Sequence, residues 1–328
     1  MTILITGGAG YIGSHTVEYF QEQNEDVIVV DNLQSGHEKS IQVDYFHKID
    51  IRDKDALDKV FKTNNIKAVI HFAANSLVGE SMEKPYEYYH NNVYGMLCLL
   101  DVMKENNVNK IVFSSTAATY GEPEQIPILE EDVTNPTNTY GETKLAMEKM
   151  MKWFDQAYGI KYVSLRYFNA AGAHESGLIG EDHHPETHLI PLILQVPLGK
   201  RDQIYIFGDD YPTDDGTCIR DYIHVMDLAS AHYKALEYLR KGNGSDIFNL
   251  GNGNGYSVKE VIETSRKVTG HPILAEVQAR RAGDPAILIA SSEKAKSVLG
   301  WKPRYDSLEK IMGDAWRWHK NNPDGYNQ

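Results

Sequence analysis

Residues 2–15 read TILITGGAGYIGSH, a β-branched apolar run, a glycine-dense turn and then a helical pattern. Gly8, Gly10 and Gly13 satisfy GxGxxG, and Gly7, Gly10 and Gly13 satisfy GxxGxxG. In either phase, glycines permit a tight turn and let backbone amides approach a pyrophosphate at the positive end of a helix. The next apolar run, DVIVV, ends in Asp31, about twenty residues on, where a carboxylate meets a ribose diol. That carboxylate would repel a 2′-phosphate and no arginine adjoins it, so NAD is expected rather than NADP.

The same rhythm continues outward. Strand candidates are 2–6, 26–30, 44–48, 68–71, 110–114 and 162–166, separated by amphipathic stretches near 12–23, 53–63, 92–106 and 140–158. Short buried strands alternating with helices predict an α/β fold, a Rossmann-type doubly wound parallel sheet. Past residue 168 the loops grow rich in Gly, Pro, Asp and His, and helices return near 189–199, 225–241, 257–269, 292–299 and 307–320. Ser257 with Glu260 reads as a capping box, and Gly242 and Gly270 read as helix stops. The expected division is an NAD-binding domain, 1–168, with a returning segment about 225–250. Residues 169–328 form the smaller mixed α/β substrate-binding domain.

The net charge of −13 over 328 residues disfavours nucleic acid and anionic membrane as bulk partners. Two cysteines, Cys98 and Cys218, offer neither a disulfide framework nor CxxC. With no long apolar stretch and no basic leader, a soluble cytoplasmic protein is expected.

TYGETK, residues 139–144, places Lys144 one helical turn after Tyr140. A phenol titrates near 10 and is a poor base, but an adjacent ammonium and a positive nicotinamide would lower that value. Such a tyrosine can take the proton of an alcohol while hydride leaves the same carbon. With 20 tyrosines, a Tyr/Lys pair at this spacing arises about once by chance, so its meaning depends on the glycine turn. The run KIVFSST delivers Ser114, Ser115 and Thr116 to a strand end, where an orienting hydroxyl belongs. EDHHPETH gathers Asp182, His183, His184, Glu186 and His188 but lacks HExxH, so it reads as a structural or uridine-facing loop with no metal expected.

With these residues in place, the chain resembles the extended short-chain dehydrogenase/reductase family. The matching stretches are TGGAGYIGSH, VDNLQSG, HFAANSLVGESMEKP, NNVYG, FSSTAATYGEP, NPTNTYGETK, RYFNAAGAH, GTCIRDYIHVMDLA and RRAGD, nearly the whole chain. The resemblance implies Tyr140 as catalytic base, Lys144 as its electrostatic partner and Thr116 as partner of the sugar hydroxyl. Around NAD it implies Gly7, Gly10, Tyr11, Ile12, Gly13, Asp31, Asn32, Ser35, Gly36, Asp50, Ile51, Phe72, Ala73, Ala74, Asn91, Ser114 and Tyr167, together with Tyr140 and Lys144. Around a UDP-sugar it implies Thr116, Tyr140, Phe168, Asn169, His188, Leu189, Arg220, Arg281, Asp284 and Leu288, with the arginines clamping the diphosphate.

The implied enzyme is an isomerase interconverting UDP-glucose and UDP-galactose. It would oxidise C4 transiently and return hydride to the opposite face, as a homodimer with resident NAD. Leu288 would leave room for N-acetylated sugars. The alternatives are another UDP-sugar 4-epimerase, acting on UDP-GlcNAc or UDP-glucuronate, and a sugar-nucleotide oxidoreductase. A dehydratase needs an acid and a base after Thr116, where Ala117 and Ala118 stand. Ser76 and His188 occupy positions where many relatives carry lysine and asparagine.

Overall fold

A computed structural model describes residues 1–281 and 284–327. Seven strands form one parallel sheet: β1 (Thr2–Thr6), β2 (Asp26–Asp31), β3 (Phe46–Lys48), β4 (Ile66–His71), β5 (Lys110–Ser114), β6 (Lys161–Arg166) and β7 (Asp246–Asn249). Their order is β7-β6-β5-β4-β1-β2-β3. All six pairings are parallel. The chain therefore leaves β1 toward one edge and returns beside it as β4, and that reversal opens a crevice at the carboxyl ends of the strands.

Helices cover both faces, which explains why the strands read as continuous apolar runs. On one face α1 (Tyr11–Glu22) and α5 (Val225–Arg240) bury Phe20, Ala231, Leu236 and Leu239 against Ile3, Ile5, Val29 and Val163. On the other, α2 (Lys54–Thr63), α3 (Gly95–Glu105) and α4 (Thr139–Tyr158) bury Phe61, Leu99, Met103, Met147 and Met151 against Leu4, Val69 and Ile111. The segment after residue 225 thus re-enters this sheet: α5 packs on it and β7 pairs with β6.

The remaining chain builds a second core from Ile190, Ile193, Ile206, Val261, Ile273, Ile311 and Met312. Its strands are short. Ile204–Phe207 pairs with Ala275–Gln278, and Ile219–Arg220 lies between Tyr256–Ser257 and Ile287–Leu288. Ser257 forms the expected capping box with Glu260, and Gly270 closes that helix at φ 72°.

Helix boundaries depart where tertiary contacts intervene. The helix expected from 92 starts at Gly95, after a wide turn over Tyr89–Tyr94. Gly95 sits against Ile51, where a Cβ would come within 2.7 Å of the Ile51 side chain. The helix expected over 189–199 ends at Leu194, and the segment expected over 292–299 is a wide turn over Ala295–Leu299. Among the described residues no helix is long and apolar enough to cross a membrane.

Candidate active site

Because β1, β2, β4, β5 and β6 are parallel, their carboxyl ends share one edge of the sheet. The residues that follow them, Gly7, Asp31, Phe72, Thr116 and Tyr167, therefore line one crevice. Gly7 adopts φ 75°, and a Cβ there would meet the Ala73 backbone nitrogen at 2.5 Å. A Cβ on Gly13 would drive into the Gly7 carbonyl oxygen. Gly10, by contrast, faces only that same oxygen at 3.4 Å, which leaves the outer side of the turn open to a ligand. The Phe72 and Ala73 amides bond the Thr6 carbonyl at 2.9 and 3.2 Å, closing β4 against the turn.

Asp31 is buried at the end of β2 and accepts from the Ala9 amide (3.0 Å) and the Leu33 amide (2.8 Å). Burial pushes its carboxyl upward, opposed by those two amide bonds. Asp50 accepts from Asn32 Nδ2 at 3.0 Å and from Arg52 Nη2 at 2.5 Å; the Arg52 bond holds it well below the usual carboxylate range. Arg52 is therefore committed to Asp50. Gly36 lies against Ala9, where a Cβ would approach at 2.8 Å, and Ile51 and Asn91 are buried nearby in the chain's path around this edge. The amide-lined turn and the buried Asp31 carboxylate together suit a dinucleotide with an unmodified ribose.

Tyr140 lies in the first turn of α4, whose N-cap Asn138 accepts from the Gly141 amide at 2.8 Å. The Tyr140 amide donates to Ser81 Oγ at 3.1 Å, which fixes the start of the helix. Lys144 is buried, donates to the Ser114 carbonyl at 2.8 Å, and sits 4.8 and 5.8 Å from the Phe113 and Tyr140 ring centroids. Thr116 Oγ1 accepts from the Ala118 amide at 3.1 Å, and its side chain beside the Tyr140 phenol works against the upward push of burial on that phenol. Ser114 Oγ and Tyr167 Oη share a 2.5 Å bond beneath them.

One expectation is corrected by the electrostatics. In the chain alone the phenol of Tyr140 is not lowered: burial pushes it up to about 12, with the Thr116 side chain opposing. Burial also brings the Lys144 ammonium down to about 7, with the Glu148 charge opposing. Desolvation dominates both groups: Lys144 is buried and Tyr140 is partly so. A phenolate here needs positive charge delivered from outside the pair, and the N-terminus of α4 supplies a part of it.

The structure adds residues that sequence reading missed. Glu148 continues the Tyr140/Lys144 face by one more turn, so its spacing was the available signal. Its carboxylate takes Arg166 at 3.0 and 2.5 Å and Ser115 Oγ at 2.5 Å, all buried. Asn92 bridges Thr143 of α4 and the Asn75 backbone, at 3.0 Å each. Nothing local in the sequence marks that link.

On the far wall, Arg220 Nη2 bonds Asp284 at 2.5 Å and the Arg281 guanidinium lies 4.0 Å from the Phe207 ring centroid. Asn169 Nδ2 donates to the Asp221 carbonyl at 2.9 Å. Leu288 pairs with Arg220 across the short sheet and packs with Phe168 on Ala117, Tyr120 and Ile128, next to Thr116. Leu189 opens the helix Leu189–Leu194, and His188 before it turns its Nδ1 to Glu181 and Glu186, at 2.9 and 3.1 Å. Tyr11 Oη donates to the Gly172 carbonyl at 2.6 Å, joining the glycine turn to the second core.

Residues 3–251 match the model of the NAD dependent epimerase/dehydratase family. The UDP-glucose 4-epimerase of Halalkalibacterium halodurans is 65% identical over 99% of this chain and 98% of its own. A crystal structure of a UDP-glucose 4-epimerase superposes with a TM-score of 0.98 at 60% identity, covering 100% of both chains. That of Bifidobacterium longum, in complex with NAD+ and UDP, superposes at 0.92 with 42% identity over 99% of this chain and 100% of its own. The chain belongs to the NAD dependent epimerase/dehydratase family.

Proposed function

We propose that this enzyme interconverts UDP-glucose and UDP-galactose. The observation that carries the reading is one crevice that holds a dinucleotide cradle, a Thr116–Tyr140–Lys144 set and a wall bearing Arg220 and Arg281. It has full-length relatives that carry this name at up to 65% identity. NAD, held by the 7–13 turn, Asp31, Asn32, Asp50 and the β4 edge, supplies a reversible hydride acceptor.

Tyr140 takes the proton of the sugar O4 hydroxyl and later returns it to the same oxygen. Thr116 orients that hydroxyl, and Lys144 is the ammonium nearest the phenol. Arg220 leaves or shares Asp284 to meet the diphosphate, and Arg281 flanks it from Phe207. Binding strength then lies at the nucleotide, remote from the reacting carbon, so the keto sugar is free to present either face. Ala117 and Ala118 after Thr116 cannot transfer protons, which disfavours dehydration.

The reaction is redox-neutral, so the cofactor stays bound between turnovers. The test is to denature the purified enzyme and measure released NAD(H), alongside UDP-galactose conversion without added cofactor. Conversion with resident NAD is expected. Net NADH accumulation in solution would instead mark a sugar-nucleotide oxidoreductase.

Leu288 reaches the Thr116 wall through Phe168 and Ala117. Its modest size gives the sugar C2 substituent room, so UDP-GlcNAc is expected as a second substrate. Leu288→Tyr should cut N-acetyl activity by about tenfold or more while sparing UDP-glucose, in keeping with the roughly 1–3 kcal/mol that pocket fit contributes. Unchanged N-acetyl activity would defeat the gate.

We also place the enzyme in the cytoplasm, as a homodimer. Leu97 on α3 and Trp153 and Tyr158 on α4 stay exposed on adjoining helices, at 43, 64 and 55%, a surface suited to a second copy. Sedimentation should give twice the chain mass, and Trp153→Glu should lower it to that of one chain.

A further inference from the structure

The loop between the two cores carries a side-chain cluster that, apart from the substrate contact implied for His188, the proposed reaction does not use. Glu181, His183, Glu186 and His188 each turn one donor atom toward the others, all within 4.8 Å of one another. The pair distances are 2.9 Å (His188 Nδ1 to Glu181 Oε1), 3.1 Å (His188 Nδ1 to Glu186 Oε1), 3.2 Å (His183 Nδ1 to Glu181 Oε1) and 3.6 Å (His183 Nδ1 to Glu186 Oε2). Four ligands on tetrahedral Zn²⁺ with bonds of about 2.0–2.2 Å stand roughly 3.3–3.5 Å apart. These four of the six pair distances straddle that edge length, and the whole set lies within 4.8 Å.

Hydrogen bonds hold one side of the arrangement: Glu186 Oε1 accepts from the Thr187 and His188 amides at 2.7 and 2.8 Å and lies 3.1 Å from His188 Nδ1. Glu181 is only 4% exposed, and its Oε1 is in ion-pair contact with both His183 Nδ1 and His188 Nδ1, at 3.2 and 2.9 Å. Two carboxylates and two imidazoles this close share protons in the metal-free chain, and a divalent cation at their centre takes the place of those protons.

We propose that Glu181, His183, Glu186 and His188 form a structural site for Zn²⁺ or a similar borderline divalent cation. Two imidazoles select against Mg²⁺ and Ca²⁺, which take oxygen ligands, and four protein ligands describe a closed, structural site. Entry is available, because the cluster stands in the wall of a surface cleft that Lys200, His319 and Asp324 also line.

The site braces the cofactor cradle from outside. The His183 ring meets Tyr11 edge-on at 6.1 Å, and Tyr11 is the first residue of α1 after the glycine turn. Between the ligands, the Asp182 carbonyl bonds His37 Nε2 at 2.9 Å, and its carboxylate takes the Tyr326 amide at 2.9 Å. His37 follows the segment after Asp31, so fixing this loop fixes two edges of the turn that holds the dinucleotide.

The full chain, made without a metal-chelating tag and treated with EDTA, tests the site by Zn²⁺ titration with Mg²⁺ as control. We expect one Zn²⁺ per chain, a raised melting temperature with Zn²⁺ only, and the intense visible bands of four-coordinate Co²⁺ on cobalt substitution. His183→Gln and Glu186→Gln should each weaken Zn²⁺ binding by about 100-fold or more, beyond the roughly 10–100-fold effect of an outer-shell loss. Absence of stoichiometric Zn²⁺ in the wild type, or a weak octahedral cobalt spectrum, would overturn the site even if a variant failed to fold. Equal affinity in wild type and His183→Gln would do the same.

Discussion

Tyr140→Phe is expected to lower the rate of UDP-galactose conversion by about 10²–10⁴-fold, the usual contribution of a positioned general acid–base group, while leaving bound NAD(H) unchanged. The substitution is narrow because everything but the hydroxyl is retained. The ring keeps its place 5.8 Å from Lys144, and the backbone amide still donates to Ser81 Oγ. What disappears is the phenolic oxygen beside Thr116, at the strand end where the proposed reaction would hold the sugar. Burial pushes that phenol up to about 12 in the chain alone, so its proposed use as a base would depend on added positive charge. Steady-state kinetics with cofactor content measured on the same sample separates the two effects. Near-normal turnover would remove Tyr140 from the chemistry, and loss of NAD instead of rate would make it a cofactor residue.

The second large effect is on stability. Glu148→Ala should destabilise the enzyme by about 3–5 kcal/mol, the usual result of leaving one member of a buried ion pair alone. Arg166 is 3% exposed and would keep its charge, now facing only the Tyr120 ring at 4.7 Å. Ser115 would lose its acceptor as well. Replacing both partners, as Glu148→Leu with Arg166→Met, should cost clearly less, because no charge is then stranded. Urea unfolding midpoints with matched slopes report both numbers. A single variant as stable as the double would show that the pair contributes only volume. Without the Glu148 charge, the Lys144 ammonium loses the one influence holding it up, so the effect extends into the site.

The parts of the site that lie within one turn or one strand end were legible in the sequence. Gly7, Gly10 and Gly13 are constrained by backbone contacts that only glycine tolerates, so the residue type itself carries the information. Asp31 closes an apolar run, and a strand that ends in a carboxylate places it at the sheet edge. Tyr140 and Lys144 follow from helical spacing, and the alternation of strands and helices fixed a doubly wound sheet before any coordinates. Boundaries were less legible because they answer to packing. Gly95, pressed against Ile51, starts α3 later than its own pattern suggests.

What only the tertiary structure decided has one physical cause: burial is a property of the assembled chain, not of a spacing. The Tyr140/Lys144 spacing suggested a lowered phenol, whereas burial raises the phenol and lowers the ammonium. Glu148 shares their helical face, but its worth comes from Arg166, eighteen residues away on another element. The run EDHHPETH read as an ordinary loop with no metal. Folding turns two of its three histidines and both glutamates toward one another, and it sets buried Glu181 Oε1 against both of those imidazoles. Sequence alone determined which chemistry the crevice has residues for; the fold determined which of those residues are dry, which are paired, and which point at one another.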